Sequence, residues 1–425
     1  MPHTDAPPHA ENLAAFVQAS PSSYHAANAV ADLLVEAGFT RQDETEAWDA
    51  SPGGHVLVRD GAVLAWRVPE NATPGDVGFR IVGCHTDSPG FKVKPDPTLG
   101  AAGWQQVGVE VYGSPLLGSW TDRELGISGR VHTRSGECRL VRLDGLMRIP
   151  QLAIHLNRGV NNDGLKLDPQ THVQPIYSVR RPDLRLLDLL AEKVGIEAED
   201  IAGHDLFAHT CQAPEVFGAD DEFFASPRLD NLSSVHAALI ALMNADECDD
   251  IQVLAAFDHE EVGSSTRSGA AGPLLEDVLR RTAHALGADA DQFARMIARS
   301  TCISADAGHA VHPNYATFHD PVHHPLLNEG PLLKVNANQR YTSDASGATL
   351  WERVCAVAGV PTQTFVSNNQ LPCGSTIGPL TATRLGITTV DVGVPLLSMH
   401  SAREMAGVDD LYFLTRALQA YWAGA

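Results

Sequence analysis

The spacing of apolar positions changes character several times along the chain. Residues 12–19 read as helix, and a second helix starts at Ser22 or Ser23. It carries Ala27, Val30, Leu33, Leu34 and Ala37 on one face and stops at Gly38. Between Gly53 and Val68 the pattern shortens to strands, and 79–84 is a compact apolar run that ends abruptly in His85-Thr86-Asp87. From about 95 to about 218 the character changes, and 107–112 and 127–131 alternate as half-buried strands do, with Gly, Pro and Asp between the runs. Beyond it, helices at 229–244, 274–286, 347–359 and 409–422 alternate with strands at 251–257, 301–304, 362–366 and 388–394. Strand-helix alternation on both sides of a β-rich stretch predicts one α/β domain built from 1–94 and 219–425, interrupted by an inserted unit at 95–218.

Composition narrows the function classes. The 425 residues carry 52 acidic against 30 basic side chains, a formal charge of −22. Nucleic acid and anionic membrane surfaces are bound by clustered Lys and Arg, so neither is an expected partner. With 44% hydrophobic and 19% charged residues the chain is a globular protein rather than a disordered one. No run approaches the roughly 20 apolar residues of a membrane span, and residues 1–11 lack a basic segment followed by an apolar core. A cytoplasmic location is the expectation. Seven cysteines without a C-x-x-C pair read as reduced thiols, Cys84 and Cys373 among them as buried and inert.

Five polar clusters then stand out by placement. His85-Thr86-Asp87, Asp230-Asn231, Asp258-His259-Glu260-Glu261, Asp306-Ala307-Gly308-His309 and His400 each fall at the carboxyl end of a predicted strand or the start of the next helix. That edge is where open α/β sheets bind ligands, so the clusters are expected to converge. Two histidines and several carboxylates without thiolate suit zinc, manganese or cobalt. A pair of divalent ions about 3.5–4 Å apart needs a bridging carboxylate, with a histidine and a carboxylate for each ion. Asp230 can bridge, His85 and Asp306 can serve one ion, and Glu261 and His400 the other. Four titratable residues in a row after the apolar 251–257 run are costly unless compensated, so one glutamate of Glu260-Glu261 can ligate while its neighbour takes a proton. Asp258 either holds a substrate amine or caps its loop. His25, His204 and His236 read as caps or ordinary packed side chains.

The strings Ile81-Val82-Gly83-Cys84-His85-Thr86-Asp87-Ser88-Pro89, Ser226-Pro227-Arg228-Leu229-Asp230-Asn231, Phe257-Asp258-His259-Glu260-Glu261-Val262-Gly263-Ser264, Ser304-Ala305-Asp306, Leu371-Pro372-Cys373-Gly374-Ser375-Thr376-Ile377-Gly378-Pro379 and Ser398-Met399-His400-Ser401 together resemble the aspartyl aminopeptidases, the M18 family of dinuclear zinc exopeptidases. Six motifs in order over nearly the whole chain make the resemblance specific. It implies a zinc-aminopeptidase-like mixed sheet with helices on both faces, interrupted by a β-rich dimerisation domain. It also implies the ligand set His85, Asp230, Glu261, Asp306 and His400 for two ions per subunit, zinc first and cobalt or manganese as alternatives. Glu260 is implied as general base for zinc-activated water, and Asp87 as the carboxylate orienting His85. His155, in Ala153-Ile154-His155-Leu156-Asn157, is implied to reach a neighbouring subunit's active site; without the resemblance it reads as a half-buried strand histidine.

The expected reaction is removal of N-terminal Asp or Glu from peptides, by a homo-oligomer implied to be a dodecamer built from dimers. A chain of charge −22 repels such substrates at long range, so a local cation must hold them. The resemblance assigns Lys334 and Tyr341 to that task, with Arg340 as competitor; alone, Lys334 reads as a surface lysine. The 373–378 loop either offers backbone N–H groups to substrate or is a plain turn. His309 and His312 receive no role, and His319, His323 and His324 read as a solvated loop. Two alternatives stay open: a dinuclear hydrolase of other specificity, and a non-enzymatic self-assembling acidic shell.

Overall fold

The computed structural model describes residues 2–48 and 51–425, arranged around three sheets. The largest has nine strands in the order Thr40–Arg41, Gly53–Arg59, Ala62–Val68, Ile251–Phe257, Phe79–His85, Thr301–Ala305, Thr388–Gly393, Leu332–Val335 and Gln363–Val366. Four of these, from Ile251–Phe257 to Thr388–Gly393, run parallel. Parallel strands are covered on both faces and read as continuous apolar runs, and Ile251–Phe257 is buried throughout. Alternate side chains feed two cores. Val82, Cys84, Leu254 and Ala256 pack with helices Ala6–Ala19, Ser23–Glu36, Leu229–Asn244, Ala345–Ala358 and Val408–Trp422. Phe79, Ile81, Val253 and Phe257 pack with Leu274–Ala285, Ala290–Arg299 and Gly378–Leu385 on the other face. This is the α/β architecture that the pattern predicts, with the mixed sheet and helices on both faces that the resemblance implies.

Register sets where the chemistry emerges. Phe257 pairs with His85 and Ser304 with Gly83, so the loops holding Glu260, Glu261 and Asp306 leave the sheet at the same carboxyl edge as His85. A second, antiparallel sheet of six strands runs Cys138–Met147, Leu125–Thr133, Ile201–Thr210, Gly90–Ala101, Trp104–Tyr112, Ile176–Val179. It has its own core, including Phe91, Val109, Ile127, Leu206 and Leu190 of helix Leu186–Val194. The third sheet pairs Phe223–Ser226 with Glu404–Gly407, placing Ser226 opposite Glu404.

Several local expectations differ from what forms. The first helix begins at Ala6 rather than at residue 12, because Pro7 and Pro8 fall in its first turn, where a missing N–H breaks no helical bond. Helix Ala290–Arg299 goes unpredicted although Asp289 and Gln292 form a reciprocal capping box. Gly378 is neither a turn residue nor a loop donor: it opens helix Gly378–Leu385, where a Cβ would lie 2.5 Å from Asp391 Oδ1. All seven cysteines are free thiols; burial pushes Cys84 up to about 12, while Cys373 is only half-buried. No helix among the described residues is long and apolar enough to cross a membrane.

Candidate metal centre

Side chains from five separate segments meet at the carboxyl edge of the large sheet. His85 Nε2 lies 3.3 Å from Asp230 Oδ1 and 3.6 Å from Asp306 Oδ1. His400 Nε2 lies 3.3 Å from Asp230 Oδ2 and 3.5 Å from Glu261 Oε2. Asp230 therefore stands between two half-sites, one oxygen toward each histidine. Glu260 is set back, with Oε2 4.0 Å from His85 Nε2. Left-handed backbone at Arg228, His259 and His400 (φ 57°, 64° and 64°) turns the chain sharply beside these groups, a conformation that ordinary side chains adopt mainly where function or packing demands it.

Asp87 ties two parts of the ring together. Its Oδ1 lies 3.3 Å from His85 Nδ1 and accepts the N–H of Glu260 at 3.0 Å. Its Oδ2 accepts the N–H of Glu261 at 3.1 Å and the Tyr112 hydroxyl at 2.8 Å. Burial alone raises a carboxyl, yet His85, Tyr112 and the Glu260 N–H outweigh it and hold Asp87 below the usual range.

Glu404 escapes the sequence reading. It is 2% exposed and accepts the N–H of Asp230 at 3.0 Å and of His400 at 2.7 Å, so one carboxylate holds the main chain of two ring members. Burial, then repulsion from Asp230, pushes it up to about 8. Glutamine at this position keeps one acceptor and turns an amide toward the other N–H. Glu404→Gln is therefore expected to weaken metal affinity about tenfold, in the range of lost supports behind metal ligands, as read by competition with a chromophoric chelator.

The ring has the properties of a divalent-cation site. Ligand atoms about 2.0–2.1 Å from a tetrahedral ion are about 3.3–3.4 Å from one another. The four separations of 3.3–3.6 Å match that spacing better than hydrogen bonding. Asp230 Oδ1 and Glu261 Oε1 are buried and take part in no hydrogen bond. His85, Asp230 and Glu261 each offer an atom within 4.8 Å of the others. Burial and mutual repulsion raise Glu261 well above the usual range and Glu260 to about 8, as expected of carboxyls assembled around positive charge that the chain itself does not supply. An imidazole and carboxylate set without thiolate fits zinc. Another donor group, Asp144, His209 and Cys211, is internally hydrogen-bonded: His209 Nε2 to Asp144 Oδ1 at 2.8 Å, with Arg142 also on Asp144.

The remaining named residues divide. Lys334 is 1% exposed, which overturns its reading as a surface lysine: its strand places it against the site, where Nζ donates to Ala307 O at 2.9 Å and lies 3.6 Å from Asp306 Oδ2. Tyr341 is buried with its ring centre 5.0 Å from that ammonium. Arg340 is exposed and donates to Gly374 O at 3.3 Å. His155 is not a half-buried strand residue but lies exposed in a turn, because Leu156 and Asn157 bond back to Ala153 instead of to a neighbouring strand. Asp258 accepts the N–H of His259 at 3.0 Å. His236 is buried, with Nε2 2.6 Å from Asn12 Oδ1.

Residues 16–422 match the family model described as Aminopeptidase I zinc metalloprotease (M18). A Streptomyces avermitilis protein called "Probable M18 family aminopeptidase 2" is 52% identical over 424 residues, covering 98% of each chain. Among solved structures, a chain of the cryo-EM Ape4 and Nbr1 complex is 34% identical with a TM-score of 0.93, covering 100% of this chain and 87% of that one. The S. cerevisiae mApe1 dodecamer is 27% identical with a TM-score of 0.85, covering 98% and 96%.

Proposed function

The chain belongs to the M18 family of zinc metalloproteases, and from that premise we propose that this metallo-aminopeptidase removes N-terminal aspartate and glutamate from peptides. The observation that carries the substrate class is Lys334, a buried ammonium beside the ligand Asp306. In this reading His85 and Asp306 would hold one ion and Glu261 and His400 the other, with Asp230 placed to serve both. When bound, the ions supply Lewis acidity and make a water nucleophilic near neutral pH.

The chain's own groups do the rest. Glu260, the carboxylate set back from the ring, takes the proton of the attacking water and returns it to the departing amine. Asp87 keeps His85 oriented through its main-chain O, 3.1 Å from Nδ1, with its carboxylate at 3.3 Å, since a ligating imidazole is aligned by what its other nitrogen touches. Lys334 has three donors and spends one on Ala307 O, so it can receive the substrate's acidic side chain while Tyr341 walls the pocket. In a site this dry one cation outweighs the long-range repulsion of the −22 charge. We assign 95–218 to dimerisation and 1–94 with 219–425 to catalysis. His155 would act in a neighbouring subunit; its exposed turn carries Leu152, Ile154 and Leu156 at 61, 48 and 73% exposure, an apolar run suited to subunit contact. Likeness to a dodecameric neighbour supports assembly of dimers into a dodecamer.

Peptides beginning with Asp or Glu are expected to be cleaved at least about tenfold faster than those beginning with Leu or Ala, and N-acylated peptides not at all. Lys334→Met is expected to lower kcat/KM for acidic N-termini about 100-fold, the scale of one buried charge-assisted contact, while Ala-terminated peptides change little. Equal losses on both would reduce Lys334 to a support for Asp306. Cleavage of the acylated peptide would defeat the aminopeptidase reading.

A further inference from the structure

The strand Trp104–Tyr112 belongs to the second sheet, yet the chain leaves it directly against the metal centre. Tyr112 donates its hydroxyl to Asp87 Oδ2 at 2.8 Å. Gly113 (φ +66°) packs so closely that a Cβ would lie 3.1 Å from Glu261 Cβ and 3.4 Å from Pro89. Ser114 O lies 3.1 Å from His400 Nδ1, and Leu116 N–H donates to His400 O at 2.9 Å. A carbonyl can only accept, so His400 Nδ1 carries the hydrogen, and Nε2, on the side of Asp230 and Glu261, is the nitrogen left to ligate a cation.

We propose that residues 112–116 are a positioning strap for the metal centre, so that the second sheet completes the site from within the same chain in addition to any part in assembly. Four contacts reach Asp87, Glu261 and both ends of His400. Ligand sets of this kind depend on outer partners for ring orientation and donor strength. The proposal rests on the ligand set of the preceding subsection.

Tyr112→Phe removes one hydroxyl and keeps the ring, which packs edge-on to Phe207 at 5.2 Å. Zinc affinity, measured by chelator competition, is expected to fall about 10–100-fold, and kcat to fall with it while KM stays within about twofold. The melting temperature of the metal-free protein is expected to fall by only a few degrees, the cost of one buried hydrogen bond. Gly113→Ala, strained at positive φ and crowding Glu261, is expected to weaken zinc as well. Ser114→Ala, which keeps the carbonyl, is expected to match wild type. Wild-type zinc affinity in both Tyr112→Phe and Gly113→Ala would overturn the strap, as would a drop in metal-free stability that accounts for the whole effect. Wild-type protein that binds no zinc would instead remove the ligand set, and the strap with it.

Discussion

Replacing Glu260 with glutamine is expected to lower kcat by about 10²–10⁴-fold while the metal stays bound. The substitution conserves volume and removes only the ability to accept and return a proton. Glu260 lies at the edge of the ring, 4.0 Å from His85 Nε2, whereas Asp230, Asp306 and Glu261 make the closer approaches to the histidines. Its main-chain N–H on Asp87 is untouched by the change, so the turn that carries Glu261 should hold. Elemental analysis of the purified variant beside its kcat separates the two roles. Full metal content with a collapsed kcat assigns proton transfer to Glu260; loss of metal makes it a ligand; unchanged turnover hands the proton to another group. Glu261→Gln, by contrast, is expected to lose metal first.

Stripping the metal is expected to abolish hydrolysis and to make stability fall as pH rises from about 5 to 8. Without metal, Glu260 and Glu404 are pushed up to about 8 and Glu261 is raised well above its usual range, burial being the main cause in each. In the unfolded chain these glutamates ionise near 4.5. The folded state therefore binds more protons across that window, and the stability they contribute at low pH is lost as pH rises through the folded values. His85 and His400 act in the same sense, because carboxylate neighbours outweigh burial and raise them. Asp87 and Asp230, held below the ordinary 3.8, act oppositely but only at more acid pH. Cations replace those protons, so the zinc-loaded protein should lack this slope. At free zinc a thousandfold above its Kd, binding adds about 4 kcal/mol to stability. Melting curves with and without chelator at pH 5.5 and 8 test this. A metal-free protein with an unchanged melting temperature at pH 8 would mean that the ring carries no cation of consequence.

Much of the catalytic core is legible in the chain because its cause is local. The run 251–257 is buried at every position and apolar at all but Gln252 because both faces of that strand are covered, and helix Leu229–Asn244 announces itself by period. The polar residues that follow such runs mark strand ends, and parallel strands share one ligand-binding edge. That rule brings His85, Glu261 and Asp306 together before any distance is known. The supports behind them carry no such signal. Glu404 opens a four-residue strand and bonds a residue 174 positions away, and Tyr112 ends an alternating strand like any half-buried tyrosine.

What the sequence by itself determined is therefore the order of elements, the edge at which they deliver polar residues and the donor types, since period and composition act over a few residues. The tertiary structure alone decided which oxygen faces which nitrogen, that Lys334 is buried beside Asp306 and that His155 stands exposed. It also decided that a strand end of the second sheet lies against Asp87, Glu261 and His400. Those facts depend on register and packing between segments far apart in the chain, where a shift of one residue would turn each side chain to the opposite face.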